Sequence, residues 1–404
     1  MANVTGTDVQ QRLSGFMEMV GRELGSDVNR AAFAMYVHGL LSEGARKSME
    51  PIAARASGDE KHASAAHQCL HHFVANSCWP NASVRLAVAK YAIEEMRKHS
   101  PIDAWIIDDT GFLKQGKCSV GVQRQYTGSA GKITNCQLAV SLSLANCSAQ
   151  LPIDFELFLP ESWTEDPERR LKAKVPDTVV FKTKHDLALD MIDRAALAGL
   201  PGRTILADSF YGHSQPFRDH VHLLGFDYAV GIYSSDTMQR VAPRGKRLGA
   251  LLSAREIAEA IGKNKFRRCT WREGTRTSLS SRFAMVRVVV PRDDGVEARA
   301  EWLLIEWPAD EKEPTRYTLT TLPRKMSKKA IVRMTKERYR TEQVYEEMKG
   351  ELGLDHFEGR GYPGWCHHVT LTLCCYAFLV AERASAFSPS ARGTRRAHAL
   401  EVAA

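Results

Sequence analysis

Three acidic residues stand where the local pattern changes. Asp109 follows the apolar run Trp105-Ile106-Ile107 and Asp108, Asp208 closes Thr204-Ile205-Leu206-Ala207, and Glu342 lies in the charged stretch Lys336-Glu337-Arg338-Tyr339-Arg340-Thr341-Glu342. Carboxylates are the hard oxygen donors that Mg²⁺ takes. Two on strand ends and one on a helix can converge on one point, and a two-metal site so built clamps the attacking and leaving oxygens of a phosphodiester. Each acid also has a plain structural reading. Asp108 and Asp109 can be turn residues, and Asp208 before Ser209 can be a helix cap. Arg338, Glu342 and Glu346 at i, i+4 and i+8, with Lys349 beyond, can be an ion-paired solvent face. The joint occurrence of all three at the right points of one strand–helix order favours the metal site.

The elements that must position these acids follow from periodicity. Residues 1–97 read as helical: Leu13, Phe16, Met17, Val20 and Leu24 recur at helical spacing, and further helices are expected over 30–56, 62–76 and 83–98. From Trp105 the period shortens. Trp105–Asp109, a segment beginning at Val120, and Cys136–Leu144 predict three strands in a meander. Leu187–Leu197 predicts a helix, Thr204–Asp208 a strand buried on both faces, 214–223 a helix and Phe226–Ile232 a strand. This order implies an α/β fold with a mixed five-stranded sheet flanked by helices, carboxylates at the strand ends facing the ligand crevice. Residues 233–325 interrupt it with strands at Phe283–Val290, Trp302–Trp307 and Arg316–Leu322, a β-rich insertion. One helix is expected over 327–350 and another over 365–383, which returns the chain to the core over 326–384; 385–404 reads as a disordered tail.

Composition narrows the class. The chain has 404 residues, 44% hydrophobic and 25% charged, with a net charge of +8. Such a balance suits a multi-domain globular protein with a polyanionic partner, nucleic acid first among them. The nine Cys residues show no disulfide framework, no apolar run reads as a membrane span, and no signal peptide opens the chain, so the expected compartment is the cytoplasm. His67 and His71 lack the Glu of a zinc-protease motif, the Cys366–Cys375 group lacks zinc-ligand spacing, and no phosphate-binding Gly-Lys-Ser/Thr loop is present.

Several segments together carry a family resemblance: Asp108-Asp109-Thr110-Gly111-Phe112-Leu113-Lys114, Ser119–Gly128, Gly131–Gln137, Ala207-Asp208-Ser209-Phe210-Tyr211-Gly212 and Lys349–Glu358, with Gly39-Leu40-Leu41 and Arg46–Pro51 before them. Over about residues 30–380 the chain resembles the DDE transposases of bacterial insertion sequences, in the RNase H-like superfamily, and most nearly insertion-sequence family 701. The resemblance implies that Asp109, Asp208 and Glu342 are catalytic and bind two Mg²⁺ ions, for which Mn²⁺ can substitute. The residue directly before Thr is the family's ligand, which selects Asp109, while Asp108 would point to the opposite strand face. The family signature Tyr-x2-Arg-x3-Glu-x6-Lys puts Arg338 and Lys349 in register as phosphate contacts; the Tyr position is Thr335, a departure. Residues 233–325 would match the family's β insertion, in which a Trp stacks on a flipped base. Trp271, among Arg267, Arg268, Arg272 and Arg276, is the candidate ahead of Trp302 and Trp307. The implied partner is double-stranded DNA, element ends and target, engaged by a homodimer with residues 1–97 helping to bind the ends. A domesticated DNA-binding regulator and a two-metal nuclease without strand transfer are the alternatives.

Overall fold

The computed structural model describes residues 6–57, 60–242, 247–272, 279–292 and 294–386. The chain opens with five helices: α1 (Gly6–Gly21), α2 (Asp27–Leu41), α3 (Met49–Ser57), α4 (Glu60–Ala75) and α5 (Asn81–Arg97). Four strands follow: β1 (Ala104–Leu113), β2 (Gln123–Thr127), β3 (Lys132–Ala145) and β4 (Gln150–Phe158). Helices α6 (Glu161–Thr164), α7 (Pro167–Lys172) and α8 (Lys184–Leu197) lead to β5 (Thr204–Ala207), α9 (Ser209–His213), α10 (Gln215–Leu223) and β6 (Asp227–Ile232). Next come β7 (Thr237–Val241), β8 (Arg247–Ser253), α11 (Ala254–Ile261), β9 (Arg267–Arg272), β10 (Leu279–Val289), β11 (Ala300–Glu306) and β12 (Arg316–Thr320). Helices α12 (Lys328–Lys336), α13 (Arg340–Gly350) and α14 (Tyr362–Ala386) complete the described chain.

These elements form two compact units. One takes Met1–Ile102, Asp109–Pro201 and Arg340–Ala404; the other takes Asp103–Asp108 and Gly202–Tyr339. Strand β1 is divided between them, its first half counting with the second unit.

In the first unit β3 lies beside β1 and pairs antiparallel with both β2 and β4. Strand β4 is an addition to the expected meander. Its residues alternate well, with Leu151, Ile153, Phe155 and Leu157 all buried, but Pro152 argues against a strand. The proline sits opposite Ser143, at the register irregularity between Leu142 and Ser143, where a ladder can do without its N–H. The polar face of β4 is also covered. Arg85 of α5, 10% exposed, donates to Asp154 and to the Phe155 carbonyl, and Arg194 of α8 donates to Asp154 at 2.8 Å and to Glu156 at 2.7 Å. The two guanidinium groups hold the Asp154 carboxyl below its ordinary range against a desolvation that opposes them.

Helix α14 is the core rod of this unit. By length and composition it could cross a membrane, which the sequence reading did not find, yet 89% of its apolar window is buried inside the protein. It packs against α2, α4, α5 and β4. His367 stacks on Trp79, and His368 bonds Tyr36 Oη at 2.8 Å and the Gly353 carbonyl at 3.0 Å. Burial lowers the pKa of both histidines, His368 to about 4, so both pack as neutral groups.

In the second unit the strands run β1-β5-β6-β12-β11-β10-β7-β8, with β9 on β10. Strands β1, β5 and β6 are parallel, and β12 joins β6 antiparallel through Tyr317↔Ile232 to Thr320↔Ala229. The strands of residues 233–325 therefore continue this unit's sheet. The strands expected at Trp105, Val120, Cys136, Thr204 and Phe226 form as β1, β2, β3, β5 and β6, and the fold is a mixed α/β sheet flanked by helices. The tail, from residue 387, lies outside the described residues.

Candidate active site

Strand β1 carries a buried apolar run, Ala104 to Ile107, into two half-buried acids and the buried Thr110. Alternation sends Asp108 and Asp109 to opposite faces. Asp108, 14% exposed, pairs with Arg338 at 2.7 Å within the second unit. Asp109, 26% exposed, pairs with Lys184 at 2.6 Å within the first. Lys184 opens α8, whose start is fixed by the capping box of Thr183 and Asp186. No sequence signal pointed to Lys184 as a partner for Asp109, because the two are 75 residues apart.

Asp208 follows the fully buried strand β5 and caps α9. Its Oδ1 accepts from the backbone N–H groups of Phe210 at 2.9 Å and Tyr211 at 3.3 Å. The helix-cap reading is thus realised with one carboxylate oxygen, and Oδ2 remains for another ligand. The parallel register runs Ala104↔Thr204, Trp105↔Ile205, Ile106↔Leu206. Carried on two residues, it sets Asp208 level with Asp108, and partners across a parallel pair share a face.

Two glycines hold α9 in place. A Cβ on Gly212 would collide with the Gly231 carbonyl oxygen and come 2.7 Å from Val230 Cβ, and a Cβ on Gly231 would come 2.8 Å from Ser209 N. Backbone therefore lies on backbone just after Asp208, and only glycine permits it. Gly212→Ala is expected to cost about 1–3 kcal/mol, the range for overpacking a tight contact. Thermal melting checks this, and an unchanged melting temperature would show that α9 and β6 separate without cost.

Glu342 lies in the first turn of α13 and is exposed. Thr341, Val344, Tyr345 and Met348 form the buried face of the helix, leaving Glu342, Glu346 and Lys349 on another. Lys349 is not free in solvent: its Nζ donates to Thr110 Oγ1 and the Gly111 carbonyl, both at 2.8 Å, and to Ser129 Oγ at 3.3 Å. Burial lowers its pKa. The Glu342 side of α13 is thereby pinned along the end of β1. The expected continuous helix over 327–350 is broken by a 3₁₀ turn, Glu337–Tyr339. Arg338 sits in that turn, outside α13, and its guanidinium pairs with Asp108. Thr335, at the departing signature position, bonds back to the Val332 carbonyl at 2.9 Å.

Trp271 is half-buried on β9, edge-on to Phe283 with centroids 6.0 Å apart, and Lys336 Nζ lies 4.6 Å from its ring centroid. Trp307 is buried against Phe266, and Arg287 lies over Trp302. Arg276 falls outside the described residues. Among the described residues no three His, Cys, Asp or Glu side chains form a group that could hold a metal. The fit rests on donor chemistry: carboxylate oxygens suit a hard divalent cation, and Asp208 has one oxygen uncommitted.

A family model described as DDE superfamily endonuclease matches residues 21–278. The chain is also 26% identical over 369 residues to the probable transposase for insertion sequence element IS701 of Microchaete diplosiphon, an alignment covering 91% of this chain and 87% of the relative. A match over more than half the chain shows that the protein belongs to the DDE superfamily endonucleases.

Proposed function

We propose that this endonuclease is a DNA transposase, cutting phosphodiesters at the ends of an insertion sequence and joining the freed 3′-hydroxyl to target DNA. The observation that carries the reading is Asp208, which the β1–β5 register carried on two residues sets level with Asp108 of β1, and which is oriented by two backbone N–H groups. Its metal ligands are Asp208, Glu342 and one of the pair Asp108 and Asp109. The sequence reading chose Asp109; the β1–β5 register and the Arg338 pairing support Asp108. Bound there, two Mg²⁺ ions, or Mn²⁺, would activate the attacking hydroxyl and stabilise the leaving oxygen. The chain's own groups do the rest. The amides of α9 fix one Asp208 oxygen, Arg338 and Lys184 offset the charge of the β1 acids, and Lys349 ties α13 to Thr110. For Trp271 the packing against Phe283 and Lys336 offers a structural role beside base stacking. The protein acts in the cytoplasm as a homodimer on DNA, since two ends must be paired, and residues 1–97 contribute to end binding.

The test is incubation with DNA carrying the flanking element ends and Mg²⁺, products resolved by strand. End-specific nicks followed by joined products support transposition. Cleavage without joining would make the protein a two-metal nuclease, and binding without cleavage a regulator derived from one. With the same DNA, Arg338→Ala and Lys349→Ala are expected to lower the salt slope of binding by about 0.9 for each duplex phosphate no longer neutralised. An unchanged slope in both would restrict Arg338 to its bond with Asp108 and Lys349 to bracing Thr110.

A further inference from the structure

Several cations of the second unit are neutralised: Arg292 by Asp219 and Asp294, Arg299 by Asp219, Lys336 by Glu306 and Arg255 by Glu313. Four arginines around strand β9 have no carboxylate partner among the described residues. Arg268 donates to Ser280 Oγ at 3.1 Å, Arg267 to the Asn264 carbonyl at 3.3 Å, and Arg333 of α12 to the Trp271 carbonyl at 3.3 Å. Arg282 of β10 is exposed, as are the other three. A guanidinium has five N–H donors, so Arg267, Arg268 and Arg333 each rest on one neutral acceptor with most of their donors to spare.

The register sharpens the point. Arg268 stands directly opposite Arg282 in the antiparallel β9–β10 pair. Like charges in that position destabilise a sheet, and among the described residues no carboxylate pairs with either of them. A surface that keeps such a pair is built for an external anion, and planar guanidinium forks match phosphate oxygens. Serine and threonine flank the pair, Thr270 opposite Ser280, adding short hydroxyl donors and no negative charge.

We infer that the paired strands β9 and β10, with Arg333 of α12 beside them, form a phosphate-binding track for duplex DNA, and that Arg268 and Arg282 are its central contacts. This deepens the transposase reading and rests on it: the track adds a grip on the DNA backbone apart from the carboxylates. It carries no sequence preference, because backbone contacts position a duplex without reading it.

The experiment measures binding of the full-length protein to a labelled duplex across a salt series in EDTA, where cleavage plays no part. The Arg268→Gln/Arg282→Gln variant is compared with Lys172→Gln/Arg255→Gln, an exposed control with the same loss of charge. The track variant is expected to lower the salt slope by about 1.8, two duplex phosphate contacts, while melting at or above the parent temperature because the opposed charges are gone. The control is expected to leave the slope unchanged. A parental slope in the track variant, or an equal drop in the control, would overturn the track and leave the cleavage reading standing. Absence of duplex binding by the parent protein would overturn both. A larger slope change on single-stranded RNA than on the duplex would reassign the track to another partner and reject it for DNA.

Discussion

Asp208→Asn is expected to reduce cleavage of element-end DNA by on the order of 10²–10³-fold, the range for removing one preorganised electrostatic contact to a transition state, while the protein melts as the parent does. The pairing of the two readouts matters because Asp208 does two things. Its Oδ1 caps α9 through Phe210 and Tyr211, and its second oxygen is the proposed metal donor. Asparagine is as good a helix cap as aspartate, so the amide keeps the first role and loses the charge needed for the second. Asp208→Ala removes both. It is expected to show the same loss of cleavage and, in addition, a stability loss of about 1 kcal/mol, typical of a deleted cap. DNA binding in EDTA should survive in both variants. Near-parental cleavage by Asp208→Asn would leave only the cap and remove Asp208 from the metal site. If instead the asparagine variant melts as early as the alanine variant, the carboxylate charge itself is holding α9, and lost activity could not be assigned to chemistry alone.

The parts of this site that were legible in the sequence are those set by local pattern. The apolar runs ending at Asp108 and Asp208 announce buried strands, and both form where expected. The strands around Phe283, Trp302 and Arg316 were legible for the same reason. What escaped was set by partners distant in sequence or by exceptions to local rules. Strand β4 hid behind Pro152, which the sheet tolerates at an irregularity of register. The break at Glu337–Tyr339 has no glycine or proline to announce it; a helical pattern runs straight through the letters. The choice of cation for each β1 acid depends on residues 230 and 75 positions away, and no periodicity carries that information. The cross-strand Arg268–Arg282 pair belongs to the same class, since it exists only once β9 and β10 are in register.

The second large effect is expected to separate Asp108 from Asp109. Both are half-buried, both have a cation, and either could be the metal-binding acid of β1. Strand geometry distinguishes them. Asp108 shares the face of Ile106, whose β5 partner is Leu206, so it shares the face on which Asp208 follows two residues later. Thr110 lies on that face too, and Lys349 bonds its hydroxyl. Asp109 points the other way, to Lys184 at the start of α8. Asp108→Asn is therefore expected to lose cleavage by on the order of 10²–10³-fold, matching Asp208→Asn. Asp109→Asn should lose far less, its cost being a partly exposed pair with Lys184, roughly 0–1 kcal/mol of stability. Lys184→Gln should reproduce that mild effect, because it breaks the same pair from the other side. The measurement is the rate of first-strand nicking at saturating Mg²⁺, with melting curves for all three variants. Severe loss in Asp109→Asn with near-normal nicking in Asp108→Asn would reverse the assignment and return the ligand role to the residue directly before Thr110. Equal and severe loss in both would mean that the two faces of β1 each supply a necessary charge, and the register argument would then fail to choose between them.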